Sequence, residues 1–98
     1  VKVLKKNKYK KIILLPPSND YGVDIIAEKK RVRYGFQCKL YSGNVGNSAV
    51  QEIVAGMAYH NLDVGIVVTN SYYTKNAINL AKSNNIELWD RDYLLKII

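Results

Sequence analysis

The sequence predicts an α/β domain with a mixed central sheet and helices on both faces. Three observations carry this. The amino-terminal part holds three short apolar runs divided by turn formers, which reads as a β-meander. The remainder alternates buried-strand runs with helical stripes, the pattern of β-α units with parallel pairing. The chain has 98 residues, 48% of them hydrophobic, which suits one domain with a modest core.

VKVLKKNKYKK reads as the end of a helix or a basic lead-in, anchored by Val1, Val3 and Leu4. KIILLPP is a short strand stopped by Pro16 and Pro17, because proline cannot donate to a ladder. SNDYG follows as a loop. VDIIA is a second strand, EKK a turn, and RVRYGFQCKL a third strand that completes a hairpin. On that strand Val32, Tyr34, Phe36, Cys38 and Leu40 alternate with Arg31, Arg33, Gly35, Gln37 and Lys39, so Gln37 and Lys39 share a face and Cys38 points to the core. After the glycine-containing loop YSGNVGNS, Asn47-Ser48 offers an N-cap to a helix whose stripe is Val50, Ile53, Val54, Met57 and Ala58. LDVGIVVTN suits a strand buried on both faces. Thr74 can cap a helix striped by Ala77, Ile78 and Ala81. IELW is a last short strand, with Trp89 in the core. DRDYLLKII is a terminal helix capped by Asp90, with Leu94 and Ile97 inward. No internal repeat, low-complexity segment or domain linker interrupts this order.

Charge and cysteine content narrow the function. Residues 1–40 hold eleven Lys/Arg and three Asp/Glu, a net of +8; residues 41–98 hold four and five, a net of −1. A polyanion is the natural partner of that asymmetry, and nucleic acid the commonest one; a merely solvated basic face fits the charge equally well. The single cysteine excludes an intrachain disulfide framework and a multi-cysteine zinc site, in keeping with a cytoplasmic setting. No apolar run reaches membrane-spanning length, and a membrane partner is not expected.

The polar residues of the hairpin hold the chemistry. Asp24 falls across from the Phe36 to Lys39 segment, and an inward carboxylate is costly unless it is paired or binds a cation. Asp24 with Gln37 offers hard oxygen ligands that suit Mg²⁺, or Mn²⁺ in its place. Lys39, on the same face, can orient or deprotonate a water or neutralise a phosphoryl group. A plain Lys39–Asp24 ion pair at a strand edge accounts for the same residues.

GVDIIA…FQCK resembles the D–(Q/E)xK signature of the PD-(D/E)XK nucleases, and more narrowly the Mrr-type restriction endonuclease catalytic domain in its glutamine-bearing variety. NDYGVDIIAE, FQCKLYSG, AVQEIVAGMA, VGIVVTNSYYT and NNIELWDRDYL resemble successive segments of that family, so the likeness covers nearly the whole chain. It implies a restriction-endonuclease-like fold with a β-β-β-α-β core and metal-dependent hydrolysis of double-stranded DNA. By position, Asp24 would be the central metal ligand, Gln37 would replace the usual acidic ligand, Lys39 would be the catalytic lysine, and the Cys38 carbonyl would complete the metal site. Gln51 falls where the family places a polar residue near the site. The family's first helix often carries a glutamate, whereas residues 1–19 contain no acidic residue, so the single domain over 1–98 is expected with that helix truncated or missing.

Lys5, Lys6, Lys8, Lys10, Lys11, Arg31, Arg33 and Tyr41 are expected to contact the DNA backbone, which positions a duplex without reading its sequence. A homodimer would supply two sites for cutting both strands. A junction-resolving or repair nuclease, and a non-catalytic DNA-binding module, are the alternatives on the same fold. Asp20 is expected as a turn residue. His60, the only histidine, is expected at a helix end where a cation complements the dipole, not as a general base. Tyr21, Tyr72 and Tyr73 fall on loops where they could stack on bases or bond phosphates, but tyrosine also covers half-exposed sheet.

Overall fold

A computed structural model of the chain describes residues 1–16, 22–40 and 42–98. Asp20, Tyr21 and Tyr41 lie outside the described residues. The elements run α1 (Lys2–Lys6), β1 (Lys10–Leu14), β2 (Ile25–Lys29), β3 (Val32–Lys39), α2 (Asn47–His60), β4 (Val64–Thr69), α3 (Lys75–Ser83), β5 (Glu87–Trp89) and α4 (Arg91–Ile97). They form one five-stranded sheet whose spatial order, β1-β2-β3-β4-β5, is the chain order. The first two pairings are antiparallel, from the meander; the last two are parallel, because a helix connects each pair of strands. The expected mixed sheet with helices on both faces is what forms.

Alternation along the strands divides the core into two layers. On one face Ile26, Val67, Val45, Ala49, Val50, Ile53, Ala77 and Ala81 bury against one another, joining the sheet to α2 and α3. On the other, Leu4, Tyr9, Phe36, Ile66 and Trp89 pack beneath α1 and α4. Aromatic rings link this second layer: Tyr9 meets Tyr34 at 5.1 Å and Phe36 at 5.4 Å, and Phe36 meets Trp89 at 5.5 Å. The sheet carries glycine where α2 and the segment after it come close. A Cβ on Gly35 would lie 2.3 Å from Leu62 Cδ1, and one on Gly65 would lie 2.5 Å from Met57 Sδ.

Thr74 and Asp90 cap α3 and α4 as expected, accepting from the backbone N–H of Ala77 at 3.1 Å and Tyr93 at 2.9 Å. Four local expectations need correction. The hairpin turns at Lys30-Arg31 rather than over Glu28–Lys30; both residues have positive φ, 51° and 67°, as a two-residue turn matched to strand twist requires. Gly46, not Asn47-Ser48, stands at the N-cap of α2 and gives no side-chain cap. Ile78 is 42% exposed, and the half-buried Leu80 supplies the apolar contact of α3 instead. Cys38 lies on the face opposite Gln37, as its alternation demands, but it is exposed, because the helices cover that end of β3 incompletely.

Three helices close in the same way. After each last turn one residue swings to positive φ, and the next N–H reaches back five residues: Tyr9 to Leu4 at 3.0 Å, Leu62 to Met57 at 3.0 Å, and Ile86 to Ala81 at 2.9 Å. The left-handed residue is Asn61 after α2 and Asn85 after α3, but Lys8 after α1. On β1 the register slips between Lys10 and Ile13, and Lys11 occupies the bulge at φ 50°. A non-glycine side chain held left-handed costs roughly 1 kcal/mol or more.

Candidate active site

Asp24 sits just before β2, held by its backbone on both sides. Its N–H donates to the Phe36 carbonyl at 2.8 Å, and its carbonyl accepts from Leu15 N–H at 2.9 Å. The half-buried carboxylate turns toward β3, where Oδ2 accepts from the Cys38 N–H at 2.7 Å. That bond fixes the carboxylate beside the Gln37-Cys38-Lys39 run and leaves lone pairs for another ligand.

Gln37 is 3% exposed, and its Oε1 finds no hydrogen-bond partner among the described residues. A buried amide oxygen without a partner costs about 1–3 kcal/mol, so it persists where a ligand or ion accounts for it. Lys39 extends on the same face, with its Nζ 3.4 Å from Glu52 Oε2 of α2. Beside Lys39, Thr69 of β4 is fully buried and its Oγ1 accepts from Ser71 N–H at 3.2 Å.

Glu52 is the acidic residue that sequence reading passed over in favour of its neighbour. Gln51 lines a shallow hollow with Val50, Val54, Leu80 and Asn84, toward α3, whereas Glu52 reaches Lys39. Gly22 contributes to this placement. Its φ is +86°, and a Cβ there would lie 2.5 Å from the Glu52 carbonyl oxygen, so only glycine lets the chain pass so close to α2.

These residues fit a divalent cation. Asp24 and Gln37 supply hard oxygens, and the orphaned Oε1 is buried where a cation would satisfy it. Among the described residues no group of three or more His, Cys, Asp and Glu side chains is placed to hold a metal ion. The fit therefore rests on one carboxylate, an amide and a backbone carbonyl rather than on a carboxylate cage. The Cys38 residue is exposed at its strand end, but partial desolvation of its sulfur, and then the Asp24 carboxylate, push the thiol above its ordinary pKa.

The basic residues divide into two groups. Lys8, Lys10, Lys11, Lys29, Lys30 and Arg31 line one groove with Glu28, at the turn end of the hairpin. Asp24 lies six residues from Lys30 along β2, about 20 Å at the strand rise. The others lie outside that groove. Arg33 Nη1 donates to the carbonyls of His60 at 3.2 Å and Asn61 at 3.0 Å, closing the end of α2. Lys6 Nζ donates to the Ile98 carbonyl at 2.6 Å, and Lys5 is exposed on α1. His60 ends α2, as expected. Tyr73 is held by contacts of its hydroxyl with the carbonyls of Val67 at 2.8 Å and Trp89 at 2.9 Å, and the Tyr72 hydroxyl donates to Asp92 at 2.9 Å, so both loop tyrosines serve the fold.

A family model described as a restriction endonuclease, Mrr_cat, matches residues 1–98. Among solved structures, a protein of unknown function, AF1548, is similar with a TM-score of 0.75 at 17% identity, over 97% of this chain and 60% of that one. The DNA modification-dependent restriction endonuclease AspBHI is similar with a TM-score of 0.73 at 17% identity, over 98% and 28%. The MspJI restriction endonuclease, solved with a 27-mer oligonucleotide, gives 0.67 at 20% identity, over 95% and 24%. The chain thus spans less than two thirds of each of these three structures. No curated protein matches it. Among the described residues no helix is long and apolar enough to cross a membrane.

Proposed function

The chain belongs to the Mrr_cat restriction endonuclease family, and from that premise we propose that it hydrolyses DNA phosphodiester bonds with a divalent cation, Mg²⁺ or Mn²⁺, at Asp24, Gln37 and Lys39. The observation that carries the reading is the orphaned, buried Gln37 Oε1 on the same face as Lys39, one residue before Cys38, whose N–H anchors Asp24. Asp24, Gln37 and the Cys38 carbonyl would hold the cation. The chemistry such a cation would supply there is Lewis-acid polarisation of the phosphate and a more acidic attacking water.

The chain's own residues do the rest. Asp24 is fixed by its bond from Cys38 N–H, so its carboxylate is preorganised. Lys39 brings a positive charge to the phosphoryl oxygens and orients the attacking water. Glu52 holds the Lys39 ammonium at 3.4 Å and is a positioning residue. Its side chain is 45% exposed, and an ion pair so open contributes about 0–1 kcal/mol, so its role is orientation rather than stability. Gln51, which lines the hollow toward α3, is given no role in the reaction. Two copies of the chain, each with one site, would cut both strands of a duplex.

The test is cleavage of supercoiled plasmid with Mg²⁺, alongside Lys39→Ala and a chelator control. Metal-dependent nicking that disappears in Lys39→Ala is the expected result. A second reading, a DNA-binding module without catalysis, draws on the lack of a three-residue acidic cluster among the described residues. Salt-sensitive DNA binding with no nicking would select it.

A further inference from the structure

Six residues other than glycine have positive φ among the described residues: Lys8, Lys11, Lys30, Arg31, Asn61 and Asn85. Asn61 and Asn85 are of the residue type that tolerates this conformation. The other four are cations, and all four line the groove at the hairpin turn. Each occupies a position that local geometry assigns to glycine or asparagine. Lys8 closes α1 with the same bond pattern that Asn61 and Asn85 give α2 and α3. Lys11 fills the bulge of β1. Lys30 and Arg31 form the two-residue hairpin turn, where Asn-Gly is the favoured pair.

Among the described residues, left-handed backbone outside glycine and asparagine falls on one surface, each time under a basic side chain, and such strain points from backbone to function. Lys10 and Lys29 complete six cations around a single carboxylate, Glu28, which Lys11 meets at 3.7 Å. Lys29 Nζ also lies 4.8 Å from the centre of the Tyr9 ring, which holds it in place. The turn cations Lys30 and Arg31 cannot hold the phosphate being cut, because the length of β2 separates them from Asp24.

We propose that this groove is a second DNA site, which grips the sugar–phosphate backbone of the duplex several base pairs away from the cut, and that left-handed strain is retained there to place its cations. The inference rests on the nuclease reading for its choice of polyanion. A strand length of about 20 Å corresponds to about six base pairs at 3.4 Å each, so one duplex can reach both sites.

The experiment replaces the strained turn with its best local sequence, Lys30→Asn with Arg31→Gly. Binding to a mixed-sequence duplex of roughly 20 base pairs, long enough to run past the groove, is followed by anisotropy across a salt series. The double variant is expected to melt at a higher temperature than the wild type and yet bind DNA more weakly, by about ten- to a hundredfold near 0.1 M salt, with a salt slope smaller by about 1.8. Lys10→Gln, in regular strand, tests the groove without touching the turn and should lower the slope by about 0.9. Unchanged slopes in both variants overturn the groove, and an unchanged or lower melting temperature in the turn variant overturns the strain argument. If the wild type nicks plasmid while these slopes stay fixed, the second site alone fails. If the wild type neither nicks nor binds DNA, the nuclease reading fails, and the choice of DNA with it.

Discussion

Replacing Gln37 with leucine separates two roles of one side chain. The buried Oε1 lacks a partner among the described residues, so leucine should raise the melting temperature in metal-free buffer by up to about 4–8 °C, the equivalent of about 1 kcal/mol in a domain of this size. Mg²⁺ should then stabilise the wild type and not the variant, because only a ligand that binds the folded state shifts its melting. Thermal melts with and without Mg²⁺ check both halves. Glu52→Gln is expected to slow cleavage about 10–100-fold, the usual range for a residue that orients a site group, with little change in melting temperature; Glu52→Asp should restore part of the rate. That Gln37 and Lys39 share one face of β3 was legible in the sequence because a period of two fixes which face of a strand each occupies. Glu52 was not. Choosing between Gln51 and Glu52 requires the rotation of α2 about its axis, and that is set by contacts around Gly22 and Gly65 which no local pattern reveals. Cys38 shows the same limit: alternation gave its face, but not how far the helices extend over it.

The elements whose ends are fixed by side chains were the easiest to read. Thr74 and Asp90 cap α3 and α4 where a helix start was expected, and the proline after β1 marks its end. The hairpin turn was displaced by one residue, because EKK looks more turn-like than KR and cross-strand pairing decided otherwise. Ile78 was misplaced because α3 is short, and a stripe of three residues leaves its orientation free. Gly65 sets the distance between β4 and α2. Gly65→Ala would push a methyl within 2.5 Å of Met57 Sδ and 3.0 Å of Ile86 Cδ1, and is expected to destabilise the fold by about 1–3 kcal/mol, measurable by chemical denaturation. The same change combined with Met57→Ala should recover part of the loss, since the clash is chiefly with a flexible side chain.

Across the whole molecule, the sheet order was legible because it follows the chain, and each strand pairs with its sequence neighbour. The placement of the basic residues was not. A net of +8 over residues 1–40 gave the sign of the partner, while the strand register put six of the cations on one groove and drew Arg33 and Lys6 into helix-end and terminal contacts. Burial, helped by Tyr34, pushes the Tyr9 hydroxyl up to about 12, and burial also raises Tyr73. In the unfolded chain both titrate near about 10, so above that pH the unfolded state binds fewer protons than the folded one. Stability should therefore hold up to about pH 10 and fall between about pH 10 and 12; Tyr9→Phe should make that fall shallower, as melts at stepped pH would show. The bulge at Lys11 has a consequence of a different kind. β1 is an outer strand, with a row of backbone amides that another chain could use as a template. At Lys10 and Lys11 the bulge twists that row out of line and studs it with charge, so one half of the border resists fibril-like growth. The other half, where Ile13 and Leu14 are 53% and 64% exposed, has no such guard, and it is there that misassembly at high concentration would begin.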